Sequence, residues 1–91
     1  MRTLEEFFKA CEHKLALLLP HRHIKITERG VYMNSILLLP FNENTIESIK
    51  SDINLYSPVG AFDDTVNMVV ETVYYKIYGV FPIGEEHATY S

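Results

Sequence analysis

Leu4, Phe7, Phe8, Cys11, Leu15 and Leu18 recur at the three- and four-residue spacing of one helix face, while Glu5, Lys9, Glu12 and Lys14 take the other. Just before this run Thr3 and Glu6 stand three apart, the spacing of a capping box in which a hydroxyl and a carboxylate each accept an otherwise unpaired backbone N–H. The pattern predicts an amphipathic helix that ends just before Pro20, whose ring excludes it from a helix interior.

The period then changes. Ile24 and Ile26 alternate with His23, Lys25 and Thr27, as in a strand with one wet face. Glu28-Arg29-Gly30 supplies a turn, because glycine takes positive φ without steric cost. Val31 to Leu39 reads as a second strand, stopped by Pro40. Its far end, Ile36 to Leu39, has no polar alternation, which predicts an end buried on both faces, in a central position or against a partner.

Asn42-Glu43-Asn44-Thr45 opens a second helix, with Asn44 the preferred N-cap because Glu47 follows three residues later. Ile46, Ile49, Ile53 and Tyr56 form its apolar stripe, and Ser57 to Gly60 read as a loop. The last segment carries two conflicting signals. Val66, Val69, Val70, Val73 and Ile77 recur at helical spacing, and Asp63 and Asp64 suit a helix N-terminus. Thr72 to Tyr78, however, are mostly β-branched and aromatic, which favours a strand. A helix from about Phe62 to Tyr78, closed by Gly79, is the preferred reading, with a strand as the alternative. Val80 to Ile83 are expected to pack back as an extended tail, and Gly84 to Ser91 to fray.

The expected architecture is thus a small α+β domain over residues 1–83, ordered helix, β-hairpin, helix, helix. Two strands alone make an unstable sheet in water. A strand from the last segment, helices laid over the hairpin, or a second copy extending the sheet into a homodimer would each remedy this.

Composition adds a few constraints. At 91 residues the chain has room for one domain with a thin core. Its 47% hydrophobic content argues against disorder. Cys11 is the sole cysteine, so no internal disulfide forms. No secretory signal pattern is present, and the apolar stretches Leu15–Leu19 and Ile36–Leu39 are too short to span a bilayer. A cytoplasmic protein with no membrane contact is expected.

Net charge is −4 and unevenly spread. Residues 21–40 hold three bases and one acid, whereas residues 41–91 hold two bases and eight acids. The second half should repel nucleic acid and attract basic surfaces, and the basic middle is too small for a DNA footprint. Direct nucleic-acid binding is therefore not expected.

Candidate chemistry is sparse. His21 and His23, two apart at a strand start, point the same way and could hold a metal with His13. No Cys-x-x-Cys or His-Glu-x-x-His pattern supports this, and Arg22 between them repels a cation. A solvated strand start is preferred, with a metal protein or small enzyme centred on His21 and His23 as the alternative. Cys11 lies on the buried stripe, where a thiol stays protonated and inert. The adjacent acids Glu5/Glu6, Asp63/Asp64 and Glu85/Glu86 sit at element starts or in the tail, where capping and dipole compensation explain the helical pairs. The glycines are isolated, so no phosphate-cradling loop exists and no cofactor is expected.

Tyr74, Tyr75 and Tyr78 are the more suggestive group. On a helix Tyr74 and Tyr78 share a face and Tyr75 does not, so all three cannot be core. Tyrosines among acids suit a protein-binding surface, and equally a thin core with its hydroxyls in water. Glu43 with Glu47, and Asp64 with Glu71, form turn-spaced acidic rows that could imitate a nucleic-acid backbone. The resulting expectation is a non-catalytic interaction protein, a small regulator or inhibitor of a kind phages encode. It would present Glu43, Glu47, Asp63, Asp64, Glu71, Tyr74, Tyr75 and Tyr78 to a basic partner protein, with nucleic-acid mimicry as the sharper form. A structural subunit of a larger assembly is a third reading.

Overall fold

The structure, a computed structural model, describes residues 3–54 and 60–82. The first helical pattern becomes α1 (Leu4–Leu18), opened by the expected capping box: the Glu6 N–H donates to Thr3 Oγ1 at 3.1 Å and the Thr3 N–H to Glu6 Oε1 at 3.0 Å. Phe7, Phe8, Cys11 and Leu15 are buried. Leu18, placed on the same stripe by its spacing, is exposed, and Leu19 is buried beyond the helix end in its stead.

Residues 22–40 form three strands rather than the expected two: β1 (Ile24–Thr27), β2 (Gly30–Met33) and β3 (Ile36–Pro40), an antiparallel meander in that order. Val31 to Leu39 is not one strand because Asn34 and Ser35, at φ 52° and 71°, reverse the chain. Positive φ at both positions of a two-residue loop matches the twist of the flanking strands. Asparagine accepts that geometry readily and serine does not advertise it, so the turn carries a weak signature. Two bonds hold it against β1: the Asn34 N–H donates to the His23 carbonyl at 2.8 Å, and the His23 N–H to Asn34 Oδ1 at 3.1 Å.

A bulge explains the missing alternation in β3. Val31 pairs with Leu39 but Tyr32 with Leu37, leaving Leu38 as the extra residue. Leu38 and Leu39 both pack on the core, while Leu37 and Ile36 are exposed. β3 is an edge strand, which corrects the expectation of a central end buried on both faces. The opposite edge is closed from within. The Ile26 N–H donates to Glu12 Oε2 at 2.8 Å, so Glu12, assigned by periodicity to the wet face of α1, instead bonds helix to sheet.

α2 (Glu43–Asp52) is capped by Asn42, not Asn44: Asn42 Oδ1 accepts from the Thr45 N–H at 2.8 Å. Asn44 lies inside the first turn. Ile46, Ile49 and Ile53 are buried, whereas Tyr56 and the loop through Val59 lie outside the described residues. The last segment is the helix α3 (Ala61–Tyr78), closed by Gly79 at φ 76°. Its β-branched residues do not prevent this, because Val66, Val69, Val70 and Val73 all reach the core when spaced on a helix. The buried Thr65 hydroxyl lies 2.8 Å from the Ala61 carbonyl and 3.3 Å from Asp52 Oδ2, at the junction of α2 and α3.

α1 lies along β1 and α3 against both α1 and β3, so these two helices cover one face of the sheet, and α2 packs on α3. The third strand comes from within residues 22–40, so neither α3 nor a second copy is needed to supply one. After Gly79 the Phe81 ring meets Tyr75 at 4.8 Å and Pro82 is buried. Ile83 and the tail 84–91 lie outside the described residues. No described helix is long and apolar enough to cross a membrane.

Candidate functional site

Helical residues advance about 100° and 1.5 Å each, which fixes what faces outward on α3. Asp64, Met68, Glu71, Tyr75 and Tyr78 follow one another at steps of four, three, four and three residues. They therefore stay within about 40° of a single line, opposite the core valines. This seam runs about 21 Å along the helix. Asp64 is exposed, Met68 is 57% exposed, Glu71 is half-buried, and Tyr75 and Tyr78 are each 48% exposed.

Tyr74 sits on the inner flank of the seam, half-buried against the core, its ring 4.6 Å from that of Tyr78. Tyr78 is held from the other direction by Arg22, whose guanidinium lies 5.7 Å from the ring centroid. Arg22 Nη1 in turn donates to Met33 Sδ at 3.4 Å, which ties the aromatic end of α3 to the sheet. Beside the middle of the seam, Lys14 Nζ donates to Asn67 Oδ1 at 2.7 Å.

The expected partner-binding residues thus divide. Asp64, Glu71, Tyr75 and Tyr78 share one line, and Tyr74 supports it. Asp63 is exposed in the first turn, about 100° away from Asp64. Glu43 and Glu47 lie on α2 beside an open depression of about 430 Å³ that Arg29 and Lys50 also line. Lys50 Nζ stands 3.6 Å from Glu47, so bases interrupt this acidic row. Sequence reading missed Met68, the largest exposed apolar group in the middle of the seam. The steps of four and three running through it were the available signal.

His21 and His23 are exposed in the turn before β1, and His13 is exposed on α1. Among the described residues no three His, Cys, Asp or Glu side chains converge as a metal site. His87 lies outside the described residues.

Cys11 is fully buried on the inner face of α1. Burial first, and the Glu12 carboxylate second, push its thiol from 9.0 up to about 12, against a smaller opposing pull from Lys14. Below pH 9.0 the thiol is protonated folded and unfolded, so its contribution to stability is constant. Between 9.0 and about 12 the unfolded chain releases the proton while the folded chain keeps it, so stability falls as pH rises through that window. The expected result is that Cys11→Ala has a shallower loss of melting temperature above pH 9.0 than the unmodified chain. Identical slopes in thermal scans would show that the thiol does not titrate differently on folding.

In comparisons with known proteins, the chain matches no family model, no curated protein and no solved structure.

Proposed function

We propose that this chain is a non-catalytic interaction module, a small regulator or inhibitor that binds a basic partner protein through the outer seam of α3. One observation carries this reading: Met68, Tyr75 and Tyr78 are held half-exposed in line with Asp64 and Glu71. Tyrosine and methionine give large contact area, tyrosine because it is stiff and amphipathic, methionine because it adapts its shape. Neither acid has an ion-pair partner among the described residues, so both are available to a partner's bases. Their field would speed encounter with a basic surface and select against acidic ones.

Nucleic-acid mimicry is less favoured. Met68 and Tyr75 stand between the acids of the α3 row, and Arg29 and Lys50 line the depression beside the α2 row together with Glu28, so neither row is a run of acids alone.

The test uses a partner recovered from extract of the source organism and then purified. Asp64→Lys with Glu71→Lys is expected to weaken binding about 100-fold, and wild-type binding to weaken with added salt. Glu43→Lys with Glu47→Lys should change it less than about threefold, as expected of charges outside the contact. Binding indifferent to the α3 pair, with circular dichroism unchanged, would remove the proposal.

A further inference from the structure

We infer that the partner meets this seam with a helix, one carrying lysine or arginine opposite Asp64 and Glu71 and apolar side chains opposite Met68, Tyr75 and Tyr78. The inference rests on the seam being the binding surface and adds the shape and chemistry of its occupant.

The steps of four, three, four and three residues are those at which two helices, slightly supercoiled, stay in contact along their length. They place the seam's side chains about 4.5–6 Å apart along the axis, the intervals that a second helix repeats. A strand repeats a face only every 6.4–6.8 Å or so and drifts out of step within a few residues. The neighbouring helix supports a groove. Three contacts, Phe7 with Phe62, Lys14 with Asn67 and Arg22 with Tyr78, ascend both segments together, so α1 runs the same way as α3. Leu18, one turn beyond Lys14 on the same row of α1, is 42% exposed, which widens the apolar end of the surface.

Like charges on this line disfavour a second copy of this chain packed in register along it. Packed antiparallel with the two-fold axis at Glu71, the register that overlays the whole seam, Glu71 meets Glu71 at the centre. Packed parallel, Asp64 and Glu71 each meet themselves. Either arrangement sets like charges together, whereas a foreign helix with bases at those positions gains attraction at the same places. The choice is thus made by complementarity of charge, with helical spacing setting the register.

Two synthetic 18-residue peptides of identical lysine and leucine composition test this. One places lysine and leucine at heptad spacing to match the seam; the other has the order scrambled so that no amphipathic helix forms. The heptad peptide is expected to bind at least about tenfold tighter, to gain helicity, and to shift the amide resonances of Met68, Glu71, Tyr75 and Tyr78. Met68→Lys, an exposed change that leaves the core untouched, should cut that binding by about tenfold. Equal binding of the two peptides would reject the helix while leaving the acidic surface in place. So would failure of both at about 1 mM while the intact basic partner still depends on Asp64 and Glu71. If the intact partner ignores Asp64 and Glu71, the surface itself is wrong. A concentration-dependent dimer in sedimentation, dissolved by Met68→Lys, would overturn the choice of occupant.

Discussion

Gly30→Ala is expected to lower stability by at least about 3 kcal/mol, from a steric clash and backbone strain acting together. In a domain of this size that corresponds to a melting temperature lower by roughly 12–24 °C. A Cβ at position 30 stands 2.2 Å from the Leu39 carbonyl oxygen and 2.8 Å from Pro40 Cα. Both are backbone atoms of β3, so relief requires β3 to move away from β2. Gly30 also has φ 144°, which side-chain-bearing residues rarely adopt. Gly79→Ala is the control. Gly79 has φ 76°, but a Cβ there meets nothing within 4 Å, so only the local strain of about 1 kcal/mol applies. Thermal or urea unfolding of both variants checks the claim. Equal losses would mean that the close approach of β2 and β3 does not matter.

Phe7→Ala is expected to cost about 3–5 kcal/mol, a large part of the roughly 5–15 kcal/mol that holds a domain together. Phe7 is fully buried. It meets Phe62 edge-on, with centroids 5.9 Å apart at 89°, and Phe8 at 6.0 Å and 65°. The Phe62 contact joins the first turns of α1 and α3, so its loss opens a cavity between the two helices that frame the proposed groove. Phe7→Leu, which keeps most of the volume, should cost markedly less, about 1–2 kcal/mol. Urea melts give the comparison. A Phe7→Ala loss under about 1 kcal/mol would show that the α1–α3 junction repacks freely.

These two sites differ in how visible they are beforehand. Phe7 announces itself through helical spacing, and Gly30 through its place in a turn. What makes Gly30 indispensable is Leu39, nine residues later and across the sheet. The same difference runs through the candidate surface. The tyrosines and acids of α3 stand out in sequence, but their sorting depends on the helix phase set by the core. That phase puts Tyr75 and Tyr78 outward with Asp64 and Glu71, turns Tyr74 to the flank, and brings Met68 into line. The acids of α2 look equivalent on paper and differ in setting, because Lys50 stands beside Glu47 and Arg29, from the β1–β2 turn, reaches their depression.

By itself the sequence determined the elements whose causes are local. The Thr3/Glu6 box, the turn before Gly30 and the α+β class follow from residues a few positions apart, whereas the choice of helix over strand for Ala61–Tyr78 rests on the burial of Val66, Val69, Val70 and Val73. Tertiary structure decided the features that need a distant partner. The turn at Asn34-Ser35 forms because β3 gains a ladder on β2 and a core for Leu38 and Leu39. Glu12 turns from the wet face because the outward N–H of Ile26 offers it a bond across fourteen residues. Short-range preferences differ by about 1 kcal/mol or less, so burial and one well-placed hydrogen bond are enough to choose among them.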